Sequence, residues 1–122
     1  MTARRDLGDF GERVAAAHLE SKGYRILERN FRVREGEIDL VAERGGTIAF
    51  VEVRTRRGRA MGTAAESITA TKAAHLLAAA QAYAQEHHAG EADQRIDVIA
   101  LTLAADGRVL SLEHIEGAVS AE

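Results

Sequence analysis

Two short strings carry ionisable residues at a spacing that could do chemistry: GEIDLVA at 36–42 and FVEVRTR at 50–56. Each alternates charged and aliphatic residues with the period of a β-strand. Gly45-Gly46 lies between them and suits a two-residue hairpin turn, because both residues can take positive φ. With that turn, paired residue numbers sum to 91. Asp39 then faces Glu52, Glu37 faces Arg54 and Val41 faces Phe50, while Ile38 and Leu40 face Val53 and Val51 on the other side. Directly opposed side chains have Cβ atoms roughly 5 Å apart. Two carboxylates that close repel unless they share a proton or a cation. The chain has no Cys and no His near the pair, so an all-oxygen site suits Mg²⁺ or Mn²⁺ rather than Zn²⁺. The same two residues also read as edge-strand carboxylates that splay into water, and a turn one residue longer breaks the opposition.

Other residues qualify around this pair. Thr55–Ser67 reads as a mobile Arg- and Gly-rich loop, with Arg56, Arg57 and Arg59 as a clamp for nucleic-acid phosphates and Gly58 and Gly62 as its joints. Each of these arginines alone also reads as an exposed surface residue. Lys72 shares a helical stripe with Leu76, Ala79 and Tyr83. Its ammonium either snorkels to water or reaches the carboxylates and a substrate phosphate. Gly8 and Gly11 either admit a nucleic-acid backbone close to the first helix or are poor helix formers at its start. His87 and His88 point about 100° apart on a helix and suit its C-terminal dipole. His18, His75 and His114 are scattered and support no Ser-His-Asp grouping, and Asp97 reads as an ion-pair partner of Arg95.

The elements that must position these residues follow from periodicity. A helix is predicted from about Asp6 to Lys22, with Gly23 as its stop. One of its stripes is Phe10, Val14 and Ala17, and a broader face is Glu12, Ala15, Ala16 and Leu19. Strands are predicted at 24–31, 37–43 and 47–54. A second helix follows from about Thr69 to His87, capped by Thr69 or Ser67, then strands at 95–103 and about 108–115 around an Asp106-Gly107 turn. The order α-β-β-β-α-β-β makes the third and fourth strands parallel neighbours through a right-handed crossover. The fold class is α/β, a mixed sheet flanked by helices.

With 122 residues, 46% of them hydrophobic, the chain is predicted to be one folded domain, not a disordered segment. An aromatic content of 4% with no Trp argues against a base-stacking platform. No apolar run approaches the roughly 20 residues that span a bilayer, and no secretory signal is visible at the start, so a cytoplasmic location without membrane attachment is expected. The net charge of −3 is unevenly placed: residues 1–72 carry 14 basic and 11 acidic side chains, and the remainder 2 and 8. Lys22, Arg25, Arg29, Arg32 and Arg34 stand against Glu28 alone at 22–34, and 54–59 reads RTRRGR. Such a surface suits a polyanion; with Arg outnumbering Lys 14 to 2, it reads equally as a solvated, Arg-rich face.

GEIDLVA and FVEVRTR, together with GxxGExxAxxxLxxxGYxIL at 8–27, Lys72, and EHIEGA near the end, resemble the YraN-like family of small bacterial proteins. That family is placed in the PD-(D/E)XK nuclease superfamily, near archaeal Holliday-junction resolvases. The resemblance covers about residues 8–118. It implies a restriction-endonuclease-like fold of order α-β-β-β-α-β and a metal-dependent nuclease acting on DNA, including branched or structured DNA. Glu12, Asp39 and Glu52 match the three acidic positions of that active site and are implied as catalytic residues and Mg²⁺ or Mn²⁺ ligands. Arg54 stands where the superfamily has Lys. Arginine stays protonated and cannot act as a general base, which leaves it a charge-stabilising role toward phosphate and leaves Glu37 as an accessory carboxylate. The same departure motivates the alternative of a non-catalytic nucleic-acid-binding or scaffold domain. Junction-cutting enzymes of similar fold act as dimers, so the resemblance also allows a homodimer.

Overall fold

The computed structural model describes residues 3–58 and 68–119. Its elements are α1 (Ala3–Ser21), β1 (Arg25–Val33), β2 (Gly36–Arg44), β3 (Thr47–Arg57), α2 (Ala70–Glu86), β4 (Asp93–Leu103) and β5 (Val109–Val119). The five strands form one sheet in the order β1-β2-β3-β4-β5. Strands β3 and β4 are parallel and every other pair is antiparallel, as the crossover through α2 requires. Arg59, Gly62 and Ser67 lie outside the described residues.

The β2–β3 hairpin has the register expected of a Gly45-Gly46 turn. Leu40 pairs with Val51, Val41 with Phe50, and Arg44 with Thr47, and the two glycines take φ of 59° and 85°. Alternation along β3 then serves two cores. Ile48 and Phe50 pack with Leu76, Ala79, Ala80 and Tyr83 of α2. Ala49 and Val51 pack with Ala15, Ala16 and Leu19 of α1. The helices therefore cover opposite faces of the sheet, and the buried face of α1 is the broader one, which includes Glu12. Gly11 has a structural task. A Cβ there would collide with the Thr55 side chain, so the glycine lets α1 lie close against β3 and brings the next residue, Glu12, to the sheet end.

The structure corrects three expectations. Residues 55–57 are not loop: Thr55, Arg56 and Arg57 continue β3 and pair with Leu101, Thr102 and Leu103 of β4. Ile38 does not share a face with Leu40. It joins Val41 and Phe50 under α2, while Leu40 lies under α1, so the alternation of β2 breaks at Asp39. Glu37 does not face Arg54; it pairs with Arg32 of β1 at 3.3 Å. Among the described residues, no helix is long and apolar enough to cross a membrane.

Candidate functional site

The break in β2 creates the site. The β2–β3 ladder runs as far as Leu40↔Val51. Beyond it, the Val53 backbone N–H donates to Asp39 Oδ2 at 2.8 Å, in place of the next strand carbonyl. The Asp39 carboxyl is thereby held at the mouth of the hairpin beside Glu52. A cavity of about 390 Å³ opens there, and Glu12, Glu37, Asp39, Glu52, Arg54 and Lys72 all line it, with Gly8 on the α1 side. All four acidic residues singled out in the sequence thus meet in one cavity.

Glu52 is only 5% exposed. Lys72 Nζ of α2 lies 3.3 Å from its Oε2 and Arg54 Nε 3.4 Å from the same oxygen. Lys72 is set by its place in the first turn of α2, where the Thr69 side chain caps the helix by accepting the Lys72 backbone N–H at 3.1 Å. Its ammonium turns inward to Glu52. Burial and the neighbouring Glu52 charge push the Asp39 carboxyl up to about 7. A protonated Asp39 donates a hydrogen bond to Glu52, and Glu12 adds further negative charge from α1. The Glu12 carboxyl is itself raised by burial, against a hydrogen bond from the Asn30 side chain.

Asn30 is a site residue that pattern reading misses. It sits in β1 with φ of 54°, a left-handed conformation that Asn tolerates better than most residues, and from there it reaches Glu12. In the sequence it follows the charged pair Glu28-Arg29 within β1, so nothing in the pattern sets it apart.

Arg56 and Arg57 do not join the cavity. Both are held in the β3–β4 ladder, and Arg57 Nη1 reaches the Ala105 carbonyl at 3.5 Å. Gly11 is occupied by Thr55 and offers no approach to a ligand; Gly8 remains open. His87 caps α2 and stacks on Tyr83 with ring centroids 3.9 Å apart.

His114, read as isolated, belongs to a second polar cluster on the α1 side. Asp97 is 0% exposed. Arg95 grips it with Nε and Nη2 at 2.8 and 2.9 Å, as the sequence suggested. It also accepts from His114 Nε2 at 2.8 Å and from the Gly117 N–H at 3.0 Å. The β4–β5 register shifts at Ile96/Val98, and Gly117 takes φ of 64° there, so the Asp97 carboxylate serves as the partner of the bulge. Burial alone would raise Asp97; the hydrogen bonds from His114, Arg95 and Gly117 instead hold it at about 2. Both carboxylate oxygens are engaged, and the cluster is an internal brace between β4, β5 and Tyr24, whose hydroxyl accepts from Arg95 Nη2 at 2.6 Å.

Comparison with known proteins places the whole chain. The family model of the Uncharacterised protein family UPF0102 matches residues 11–101. A UPF0102 protein of Roseiflexus castenholzii is 49% identical over 121 residues, covering 98% of each chain. A UPF0102 protein of Chloroflexus aurantiacus is 49% identical over 119 residues, covering 97% of this chain and 96% of its own. One from Frankia casuarinae is 44% identical over 118 residues, covering 97% and 99%. The chain belongs to the UPF0102 family.

Proposed function

We propose that the carboxylate cavity hydrolyses phosphodiester bonds in nucleic acid, with DNA the favoured substrate and Mg²⁺ or Mn²⁺ the cofactor, in the manner of PD-(D/E)XK nucleases. Its support is the half-buried Asp39 and the buried Glu52, converging from adjacent strands in a cavity that Glu12 and Glu37 also line, where the Glu52 charge helps to raise the Asp39 carboxyl. The fit of a divalent cation follows from the donors. Both are hard carboxylate oxygens, and the raised Asp39 carboxyl shows that burial and the Glu52 charge disfavour a second negative charge there, which a cation would relieve. Among the described residues, no group of three or more His, Cys, Asp or Glu side chains is placed to hold a metal ion, so the protein offers at most two direct ligands. Two carboxylates with remaining positions open to water and phosphate suit Mg²⁺, which dehydrates reluctantly.

Asp39 and Glu52 would hold the ion, with Glu12 close enough to add charge or bind through water. When bound, the cation neutralises charge at phosphorus and activates water. The chain's own residues do the rest. Arg54 and Lys72 stand at the carboxylates as fixed positive charges for a phosphate oxygen. Neither Glu12 nor Glu37 belongs to the proton-sharing pair, so either can accept a proton from a water on the phosphate. A second reading, a nucleic-acid-binding domain without turnover, draws on one observation: Lys72 and Arg54 already neutralise Glu52.

Cleavage of labelled linear, flapped and four-way DNA in Mg²⁺ or Mn²⁺ separates the readings. The wild type is expected to cut. Asp39→Ala and Glu52→Ala are expected to lose at least about a hundredfold, since even disturbing the residues behind metal ligands costs about 10–100-fold. Equal cutting by all three proteins would contradict the proposal. DNA binding without cutting, in the wild type as in the variants, would favour the second reading.

A further inference from the structure

A second cavity of about 400 Å³ adjoins the first, and Glu37 and Lys72 line both. Its remaining wall is the tip of the β1–β2 hairpin, with Arg32 and Arg34, and the His75 turn of α2. The tip is clamped in place. A Cβ on Gly36 would lie 2.5 Å from the His75 carbonyl oxygen, so only glycine lets the hairpin press against the α2 backbone. The wall is therefore a packed surface and not a swinging turn.

The charge in this cavity favours an anion. Glu37 is engaged by Arg32 at 3.3 Å, and Glu35 is exposed on the turn. The first turn of α2 contains no acidic residue, and its positive end borders the space. Arg34 is exposed at the rim. Lys72 reaches Glu52 and stands between the two cavities, lining both. The two cavities meet at Glu37 and Lys72.

We infer that the second cavity seats a phosphate adjacent to the reacting one on the same nucleic-acid strand, gripped by Arg34 and Lys72 with Arg32 and His75 at its edge. The inference rests on the phosphodiesterase reading of the first cavity. It assigns substrate contacts to the β1–β2 hairpin, on the opposite side of the site from the arginines after Glu52.

The test compares Arg34→Glu with Arg108→Glu, an equal charge change at the β4–β5 turn, where Arg108 meets Asp106 at 3.0 Å. Binding of a fluorescent linear DNA duplex to the full chain is read by anisotropy, with Ca²⁺ replacing Mg²⁺. Arg34→Glu is expected to weaken binding at least about tenfold and to lower the slope of log affinity against log salt by about one. Arg108→Glu is expected to stay within about twofold, and Mn²⁺ binding measured by calorimetry is expected to be unchanged in both. Equal weakening by the two variants, or none in Arg34→Glu, would overturn the phosphate seat while leaving the first cavity's reading intact. Loss of Mn²⁺ binding in Arg34→Glu would also overturn it, by showing an effect through the carboxylates. A wild type that binds no DNA would overturn both.

Discussion

Asp39→Asn raises the stability of the metal-free protein above about pH 7 and abolishes its response to Mn²⁺. The Asp39 carboxyl is pushed up to about 7 from an ordinary 3.8, by burial first and by the Glu52 charge second. The folded protein thus keeps a proton that the unfolded chain has already released. Stability is unaffected below the ordinary value, falls as pH rises through the window from about 4 to about 7, and stays reduced above it. Each tenfold difference in proton affinity between the folded and unfolded chains is worth about 1.4 kcal/mol, so the loss is a few kcal/mol. Asparagine keeps an oxygen for the Val53 N–H and supplies a permanent donor to Glu52, so the loss disappears. The same change removes the anionic oxygen that a cation needs. Denaturant titrations across that window, with and without Mn²⁺, check both halves. In the wild type Mn²⁺ should restore stability as ligand binding to the native state must; in the variant it should do nothing. A variant less stable than the wild type above about pH 7 would contradict this.

Asp97→Ala has the largest expected effect on folding, and its pH dependence has the opposite sign. Removing this fully buried carboxylate leaves the Arg95 guanidinium, His114 Nε2 and the Gly117 N–H without their common acceptor. Breaking a buried charge pair from one side costs about 3–5 kcal/mol, measurable as a lower denaturant midpoint. Because Asp97 is held at about 2, its contribution is present above the ordinary carboxylate value near 4 and is lost as pH falls toward 2. The two carboxylates therefore divide their roles: Asp97 supports the fold at neutral pH, and Asp39 costs stability there. Giving up stability to hold an ionised Asp39 beside Glu52 is what a ligand site does and a brace does not. A cost below about 1 kcal/mol for Asp97→Ala would remove the contrast.

Local chemistry made much of this legible. Gly45-Gly46 and the alternation on both sides of it are enough to set the register from Arg44↔Thr47 up to Leu40↔Val51, which leads Asp39 and Glu52 to the same end of the hairpin. The order of elements and the parallel β3–β4 pair follow from strand and helix periods plus the handedness of crossovers. Non-local pairing was not legible. Arg56 and Arg57 read as loop because arginines and a glycine follow one another, yet β4 supplies the ladder that keeps them in strand. The side change at Ile38 depends on Asp39 capturing the Val53 N–H, a side-chain substitution for a backbone bond that no period reveals. Likewise, His114 and Asp97 meet only through the register shift between β4 and β5.

Everything proposed for the carboxylate cavity requires the oxygens of Asp39 and Glu52 to form a cation site. Anomalous diffraction from a crystal grown with Mn²⁺ tests this most directly. One peak between these two carboxylates, with the Lys72 ammonium drawn off Glu52, is the predicted result. No peak in the cavity at saturating Mn²⁺, with Lys72 and Arg54 still bridged to Glu52, would contradict it.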